Sequence, residues 1–420
     1  MVPRVVPRCF KALVVGFTGH KLAIRSPIRA AIAGLALLYS GVHVFQTGVI
    51  SAWANISGDF LSAWPGYYAA AWNPGIYRGH PGAMQAPLWN YGPVLHMLYL
   101  PFTFLSDLST AYRGILFVSY AYVLVSFLIT YCANLRLPRT IGPLILLIFI
   151  WANFFPLYEA LLQRNIELVE LLLVAFGYAM YMRQRDGLAG AALGAAAMAK
   201  FLPGIFLPYF VWKRRWRCVR GFLVVTIPVA LVTQMTLGWE HNLAWMILGG
   251  GIGRTHPLNQ ALSGLFLRTG PLIDPTVNWA TVSRLAMIVA GLVCLILLRK
   301  YGRPGTERWE WSLLLIMMVL LLPHANAYYY VFFLLPFSFL AEEAWRGRLS
   351  RVELVPVVVA FFFIALPFPL SPFEGLNPAR ARGWHLTDYL LHLSLPILGA
   401  SILAVVVCRR LILQLPEPAT

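Results

Sequence analysis

A few ionisable residues stand where a mostly apolar chain could carry out chemistry. Only 16 of the 420 residues are Asp or Glu, and one of them, Asp59, follows the first long apolar stretch at residues 30–50. His324 opens a later apolar stretch that is rich in tyrosine. A carboxylate and an imidazole can act as general base or general acid. The same two residues could instead be a helix cap and a buried hydrogen-bonding histidine, so position alone leaves both interpretations open.

A second group of charged residues lies within apolar sequence. Arg164, Glu167 and Glu170 are spaced three apart, so a helix over this segment would place all three near one face. Lys200 lies among small residues, just before Pro203. Ionisable residues inside a membrane cost about 2.5–3.5 kcal/mol each and are candidates for function. The alternatives are local Arg–Glu pairing and a lysine whose ammonium reaches the membrane surface.

Composition assigns these residues to a membrane protein. The hydrophobic fraction is 59%, the charged fraction is 12% and the mean hydropathy is +0.70. We therefore expect an all-α polytopic membrane protein with about 10–13 transmembrane helices. The predicted organisation is a basic tail over 1–29, a single transmembrane domain over 30–410 and a short tail over 411–420.

The charge distribution predicts the orientation of the chain. The net charge is +17, and the basic residues cluster, most densely at 213–220. The positive-inside rule places these clusters and both tails in the cytoplasm, with large extracytoplasmic loops at 51–90 and 238–280. Membrane topology and anionic headgroups explain the charge, so no nucleic-acid partner is expected. One conflict remains: if residues 91–106 cross the membrane, Arg136 and Arg139 fall on the wrong side.

The stretch 187–212 has basic residues at both ends, which a single span should not have. It begins with small residues and contains Pro203-Gly204 at its middle. Two half-length helices that are broken at Lys200–Gly204 would place both ends on one side. Such breaks occur only where the backbone faces protein or water.

The sequence lacks the common cofactor and metal motifs. It has no HExxH spacing, no G-x-S-x-G elbow and no P-loop, and its five cysteines include no CxxC pair. We expect no metal, no cofactor and no disulfide. An outer-face enzyme without nucleotide-binding motifs must take an activated donor from the bilayer, and polyprenyl-phosphate sugars meet that condition.

Several segments in order across residues 30–340 resemble the GT-C membrane glycosyltransferases. The closest resemblance is to glycosyltransferase family 87, the polyprenol-phosphate-mannose-dependent mannosyltransferases. The segments that carry it are Asp59-Phe with Tyr67-Tyr68, Trp89-Asn-Tyr91-Gly92-Pro93, Gln163-Arg-Asn165, Ala199-Lys200-Phe-Leu-Pro203, Lys213-Arg-Arg-Trp-Arg217, Asn259-Gln260-Ala-Leu-Ser-Gly264 and Pro323-His324 with Tyr328.

The resemblance implies a GT-C fold with its active site at the outer membrane face. It implies an inverting displacement, in which an acceptor hydroxyl attacks the sugar and lipid phosphate leaves. Asp59 and His324 would share the roles of general base and acceptor holder, and Lys200 with Arg164 would hold the donor phosphate. The residues expected to contact sugar or acceptor are Asn165, Asn259, Gln260, Tyr67, Tyr68 and Tyr91.

The expected partners are a polyprenyl-phosphate sugar, a glycolipid or glycan acceptor, and membrane lipids. The resemblance favours mannose as the sugar, while related arabinofuranosyltransferases make arabinofuranose the alternative. The expected location is the cell membrane, with an extracytoplasmic active site. A transporter or flippase of a lipid-linked sugar is the rival from another class, but it should show polar pathways on both faces. A purely structural membrane subunit would leave the polar cluster unexplained.

Overall fold

The computed structural model describes most of the predicted transmembrane domain. The described residues are 27–51, 53, 98, 101–102, 108–138, 140–237, 259–365, 391 and 393–413.

The described residues form helices and turns, without a β-strand among them. The α-helices are α1 (Pro27–His43), α2 (Leu108–Ile129), α3 (Ile141–Ala152), α4 (Phe155–Leu162), α5 (Glu167–Met182), α6 (Asp186–Ala199), α7 (Phe206–Trp212), α8 (Trp216–Leu237), α9 (Leu262–Ile273), α10 (Trp279–Tyr301), α11 (Glu307–Leu320), α12 (Leu334–Trp345), α13 (Arg351–Ala365) and α14 (Leu395–Leu413). Segments of π-helix continue α1 over Val44–Ser51 and α2 over Thr130–Asn134, and 3₁₀ helices precede α7 at Leu202–Ile205 and α12 at Ala327–Phe333.

Several of these helices are long and apolar enough to cross a membrane. Four pass on length and composition within the described residues: Arg113–Asn134, Trp216–Met235, Trp279–Tyr301 and Leu395–Leu413. A fifth span results if α3 and α4, which meet at a 55° bend, are taken together. The predicted class, an all-α polytopic membrane protein, is confirmed. The predicted total of 10–13 spans stays a prediction, because 54–97, 238–258 and 366–390 lie outside the described residues.

One end of the helical bundle carries a network of ion pairs between helices. Lys213 contacts Glu310 at 2.7 Å, Arg308 contacts Glu342 at 3.0 Å, and Arg410 contacts Glu353 at 2.6 Å. Each pair joins residues far apart in the chain, which fixes the helix ends against one another. We call this end of the molecule the basic end.

Arg136, one of the two arginines in the conflict of the charge pattern, belongs to the basic end, and Arg139 lies outside the described residues. Its backbone N–H donates to Glu342 Oε1 at 3.1 Å, and Arg346 donates to its carbonyl oxygen. Arg136 therefore lies beside Arg346, on the same side as the other basic clusters. Residues 91–106, the other side of that conflict, lie mostly outside the described residues.

The stretch 187–212 is broken as its composition predicts. Helix α6 ends at Ala199, Lys200 is in an extended conformation, and α7 begins at Phe206. Arg215, which follows α7, contacts Asp186 at the start of α6 at 3.6 Å. Both ends of this re-entrant pair therefore lie at the basic end, and its break lies deeper in the bundle.

Helix α6 packs closely against α8 through glycines. A Cβ atom at Gly194 would lie 2.6 Å from the carbonyl oxygen of Phe222, and one at Gly190 would overlap that of Cys218. Small residues let helices approach in membranes, where dispersion contacts drive association. The small-residue run therefore fixes the helix that presents Lys200.

Candidate active site opposite the basic end

The turn between α4 and α5 brings buried polar groups to the end opposite the basic end. Arg164 has a φ of 48°, and the Asn165 side chain accepts a hydrogen bond from the N–H of Ile166 at 3.0 Å. Helix α5 then begins at Glu167. The predicted helical face of three charged residues is therefore wrong, because the left-handed Arg164 precedes the helix. Only Glu167 and Glu170 share that face.

Lys200 and Glu167 form an ion pair inside the protein. Lys200 Nζ lies 2.5 Å from Glu167 Oε1, and the two residues are 6% and 0% exposed. The pair joins the end of α6 to the start of α5. Both helices are about 20 Å long, since each residue of an α-helix adds 1.5 Å, so the pair lies about that far from the basic end. Because Lys200 and Glu167 are both buried and in contact, each neutralises the charge of the other.

Two tyrosines cover the ammonium group of Lys200. Its Nζ lies 4.1 Å from the ring centre of Tyr329 and 5.5 Å from that of Tyr328. A cation above an aromatic ring gains roughly 0.5–2 kcal/mol, with more when the cation is desolvated. These rings belong to the 3₁₀ helix that follows the His324 segment. The predicted phosphate-binding lysine therefore contacts the segment that begins at His324, through tyrosines four and five residues after the histidine.

Glu170 adds a second carboxyl group to this cluster. It is 0% exposed, and neither of its oxygens has a hydrogen-bond partner. It lies one turn after Glu167, and the charges of Glu167 and Lys200 act on it. Two buried carboxyl groups therefore lie near one lysine, and only Glu167 is paired with it.

Arg164 is buried beside the same turn. It is 2% exposed, and its Nη1 donates to the carbonyl oxygen of Leu162 at 2.5 Å. Asn165 is also buried, and its backbone N–H donates to the carbonyl oxygen of Ala160 at 2.8 Å. The turn therefore holds a positive charge in the interior at the same end as Lys200.

Asn259 holds the segment that carries His324. Its side-chain oxygen accepts hydrogen bonds from the N–H groups of Ala261 and Ala325, each at 3.1 Å. Its side-chain nitrogen donates to the carbonyl oxygen of Pro323 at 3.3 Å. These bonds fix the backbone on both sides of His324, which is itself partly exposed. Asn259 therefore positions the histidine segment.

Gln260 makes a second set of connections to that segment. Its N–H donates to the carbonyl oxygen of Ala325 at 2.5 Å, and its carbonyl oxygen accepts from the Tyr330 hydroxyl at 2.6 Å. Its side-chain nitrogen donates to the carbonyl oxygen of Leu391 at 2.7 Å. The predicted sugar contacts of Asn259 and Gln260 stay predictions. A sugar hydroxyl would have to replace the backbone groups to which these side chains are bonded.

Sequence reasoning did not find two residues that support this arrangement. Ser263 donates to the carbonyl oxygen of Pro323 at 2.6 Å. Arg268 donates to the carbonyl oxygen of Asn259 at 2.5 Å and to Ser394 at 2.5 Å. Nothing in their spacing indicates these partners, because the contacts join distant parts of the chain. Asp59, Tyr67, Tyr68 and Tyr91 lie outside the described residues, so their predicted roles stay predictions.

Comparison with known families gives one match. The family model for glycosyltransferase family 87 matches residues 89–323, which is more than half of the chain. The match includes the α4–α5 turn, Lys200 and the Asn259 segment, and it ends one residue before His324. No curated protein and no solved structure matches the chain.

Proposed function

Because the chain belongs to glycosyltransferase family 87, we propose that this glycosyltransferase transfers mannose from a polyprenyl-phosphate donor. The acceptor is a glycolipid or glycan, and the reaction takes place at the outer face of the cell membrane. Membership of a glycosyltransferase family favours this enzyme over the lipid-linked-sugar transporter. Among donor sugars, arabinofuranose is the alternative.

The buried cluster of Lys200, Glu167 and two tyrosines is the observation that carries the proposal. A lysine at membrane depth is costly unless it meets an anion. Here the carboxylate of Glu167 is that anion: its Oε1 lies 2.5 Å from Lys200 Nζ, at a protein-lined break between α6 and α7. A lipid phosphodiester can replace that carboxylate as the partner of the ammonium group, since both are anions that accept its hydrogen bonds.

We assign the remaining roles around that phosphate. Arg164 adds a second positive charge, and Asn165 contacts the sugar. His324 and Asp59 share the acceptor hydroxyl, one as the general base that takes its proton and the other as its holder. The hydroxyl oxygen bonds to the sugar C1 from the side opposite the phosphate, and the bond from C1 to the phosphate oxygen breaks. Polyprenyl phosphate leaves with the bonding electrons.

The outer-face location rests on the basic end. Positive charge favours the cytoplasmic side of a membrane. The basic end carries Arg136, Lys213, Arg308, Arg346 and Arg410, and the Lys200 cluster lies at the other end of α6. On this basis we place the tails 1–29 and 411–420 in the cytoplasm and the loops 51–90 and 238–280 outside.

The test is a transfer reaction with purified protein. The protein is incubated with labelled polyprenyl-phosphate mannose and a membrane lipid extract, and the product is identified by its mass. A lipid product heavier by one hexose supports the proposal. Parallel reactions with polyprenyl-phosphate arabinofuranose decide between the two sugars. The variant Asp59→Asn should keep donor binding and lose turnover by about 10²–10⁴-fold, as expected for a general base.

A further inference from the structure

Glu170 is an acidic residue whose surroundings the proposed reaction does not explain. Its side chain is fully buried in α5, and both carboxyl oxygens lack hydrogen-bond partners. Buried polar groups are normally hydrogen-bonded, and a buried charge is normally paired. An ionised Glu170 would break both rules at once.

The cation nearest to Glu170 is already engaged. Glu167 and Lys200 are the charged groups that act on Glu170, and they are paired with each other at 2.5 Å. The neighbouring 3₁₀ helix contributes the rings of Tyr328 and Tyr329 over Lys200, and these carry no positive charge. An ionised Glu170 would therefore leave a net negative charge in an apolar interior. A neutral carboxylic acid leaves the three side chains of Glu167, Glu170 and Lys200 with no net charge.

We propose that Glu170 is held as the neutral acid and acts as a positioning residue, whose hydroxyl donates a hydrogen bond to Glu167 when the donor phosphate takes Lys200. This inference rests on the proposed donor. The two glutamates are three residues apart on one helix, so their side chains are neighbours. The proton of the Glu170 acid stays on Glu170 and forms the hydrogen bond to the carboxylate of Glu167, so no proton is released.

The exchange leaves neither Lys200 nor Glu167 without a partner. Before binding, Lys200 neutralises Glu167. After binding, Lys200 neutralises the phosphodiester, and the negative charge of Glu167 is stabilised by the hydroxyl of Glu170. Hydrogen bonds from a hydroxyl to a carboxylate are short and strong. Without Glu170, donor binding would strand a buried carboxylate.

The protonation state is tested in the protein without donor. A protonated carboxyl group has an infrared carbonyl band that is distinct from those of carboxylates and amides. We expect that band in wild-type protein at neutral pH and its loss in Glu170→Gln. Identical spectra of the two proteins in this region would overturn the neutral-acid assignment.

The hydrogen-bond role is tested by a matched pair of variants. Glutamine at position 170 keeps the size, the neutrality and a hydrogen-bond donor, whereas methionine keeps the size and the neutrality but has no donor. Binding of a non-transferable phosphonate analogue of polyprenyl-phosphate mannose should be within about threefold of wild type for Glu170→Gln. It should weaken by roughly tenfold or more for Glu170→Met, the loss expected for a hydrogen bond to a charged group. Binding by both variants that equals that of wild type would overturn the role. A loss for Glu170→Gln as large as that for Glu170→Met would also overturn it.

The outcomes separate this inference from the proposed function. A wild-type protein that binds no such analogue overturns the proposed donor, and with it the exchange of partners at Lys200. A wild-type protein that binds the analogue, with both variants unchanged, overturns the role of Glu170 alone. An infrared difference that appears only when the analogue is added would show that Glu170 is ionised at rest, which contradicts the proposal.

Discussion

Lys200 Nζ and Glu167 Oε1 lie 2.5 Å apart, although 33 positions separate the two residues in the chain. The lysine ends a helix that starts at the basic end, and the glutamate begins a helix that returns to it. The ion pair therefore ties together the two segments that the proposed donor site needs. Its partners are buried, so neither can be removed without exposing the other to an apolar environment.

The pair predicts strong coupling between the two residues. Lys200→Met and Glu167→Gln should each lower the free energy of unfolding by about 3–5 kcal/mol, because each leaves one partner without the other. The double variant should lose clearly less than the sum of the two. Thermal unfolding in detergent, with retained helical signal as the folding check, measures all four proteins. Additive losses would mean that the two side chains do not depend on each other.

Donor recognition should distinguish Lys200 from a similar lysine elsewhere. Lys200→Ala should raise the KM for the donor by roughly tenfold or more, since a hydrogen bond to a charged group contributes about 1.5–3 kcal/mol. Lys200→Arg should recover part of that loss, because the charge is retained. Steady-state rates over a range of donor concentrations give these values.

Lys213→Ala is the matched control for that experiment. Lys213 also pairs with a fully buried glutamate, Glu310, but at the basic end. Its loss should reduce stability and leave the KM for the donor within about threefold of wild type, because no substrate contact is proposed there. A donor KM that rises equally in both variants would assign the effect to stability rather than to phosphate binding.

Much of the fold was predictable from composition and local pattern. The break near Lys200 follows from Pro203 and from basic residues at both ends of the stretch, since a single span cannot return to its own side. The assignment of Arg136 was not predictable, because it depended on whether residues 91–106 cross. Only its contact with Glu342 places it at the basic end.

Sequence alone singled out some of the residues that the structure brings together in the candidate site, but none of their pairings. The cost of charge in apolar sequence pointed to Lys200, Glu167 and Glu170. Spacing alone then placed Arg164 on their helix, but the left-handed turn at Arg164 removes it. No local rule predicts that Asn259 bonds to the Ala325 backbone 66 positions later. Such contacts depend on how the helices pack.

The His324 segment should depend on Asn259. Asn259→Ala removes the acceptor for the N–H groups of Ala261 and Ala325 and leaves both buried, at about 1–3 kcal/mol for each unsatisfied group. We expect kcat to fall by tenfold or more while the donor KM changes little. Ser263→Ala, which removes one bond to Pro323, should have a smaller effect in the same direction. A change in KM alone would favour the predicted sugar contact instead.

Close packing of α6 against α8 should tolerate no side chain at Gly190. A Cβ atom there would overlap the carbonyl oxygen of Cys218, a backbone atom that cannot rotate away. Gly190→Ala should therefore lower stability by about 1–3 kcal/mol, as overpacking usually does. Gly187→Ala is the control on the same helix, because nothing lies within 4 Å of its Cβ position. It should be neutral or slightly stabilising, since alanine favours helix. Thermal unfolding of the two variants compares them directly.

The orientation of the protein can be read from the two ends of α10. This helix has 23 residues, which is about 35 Å and enough to cross a bilayer core of roughly 30 Å. Val277 precedes it and Arg303 follows it, and both side chains are exposed. In a variant without the five native cysteines, a cysteine at 277 should react with an impermeant thiol reagent added to intact cells. A cysteine at 303 should react only after the membrane is opened. The reverse pattern would place the Lys200 cluster on the cytoplasmic side, where the outer-face reaction could not occur.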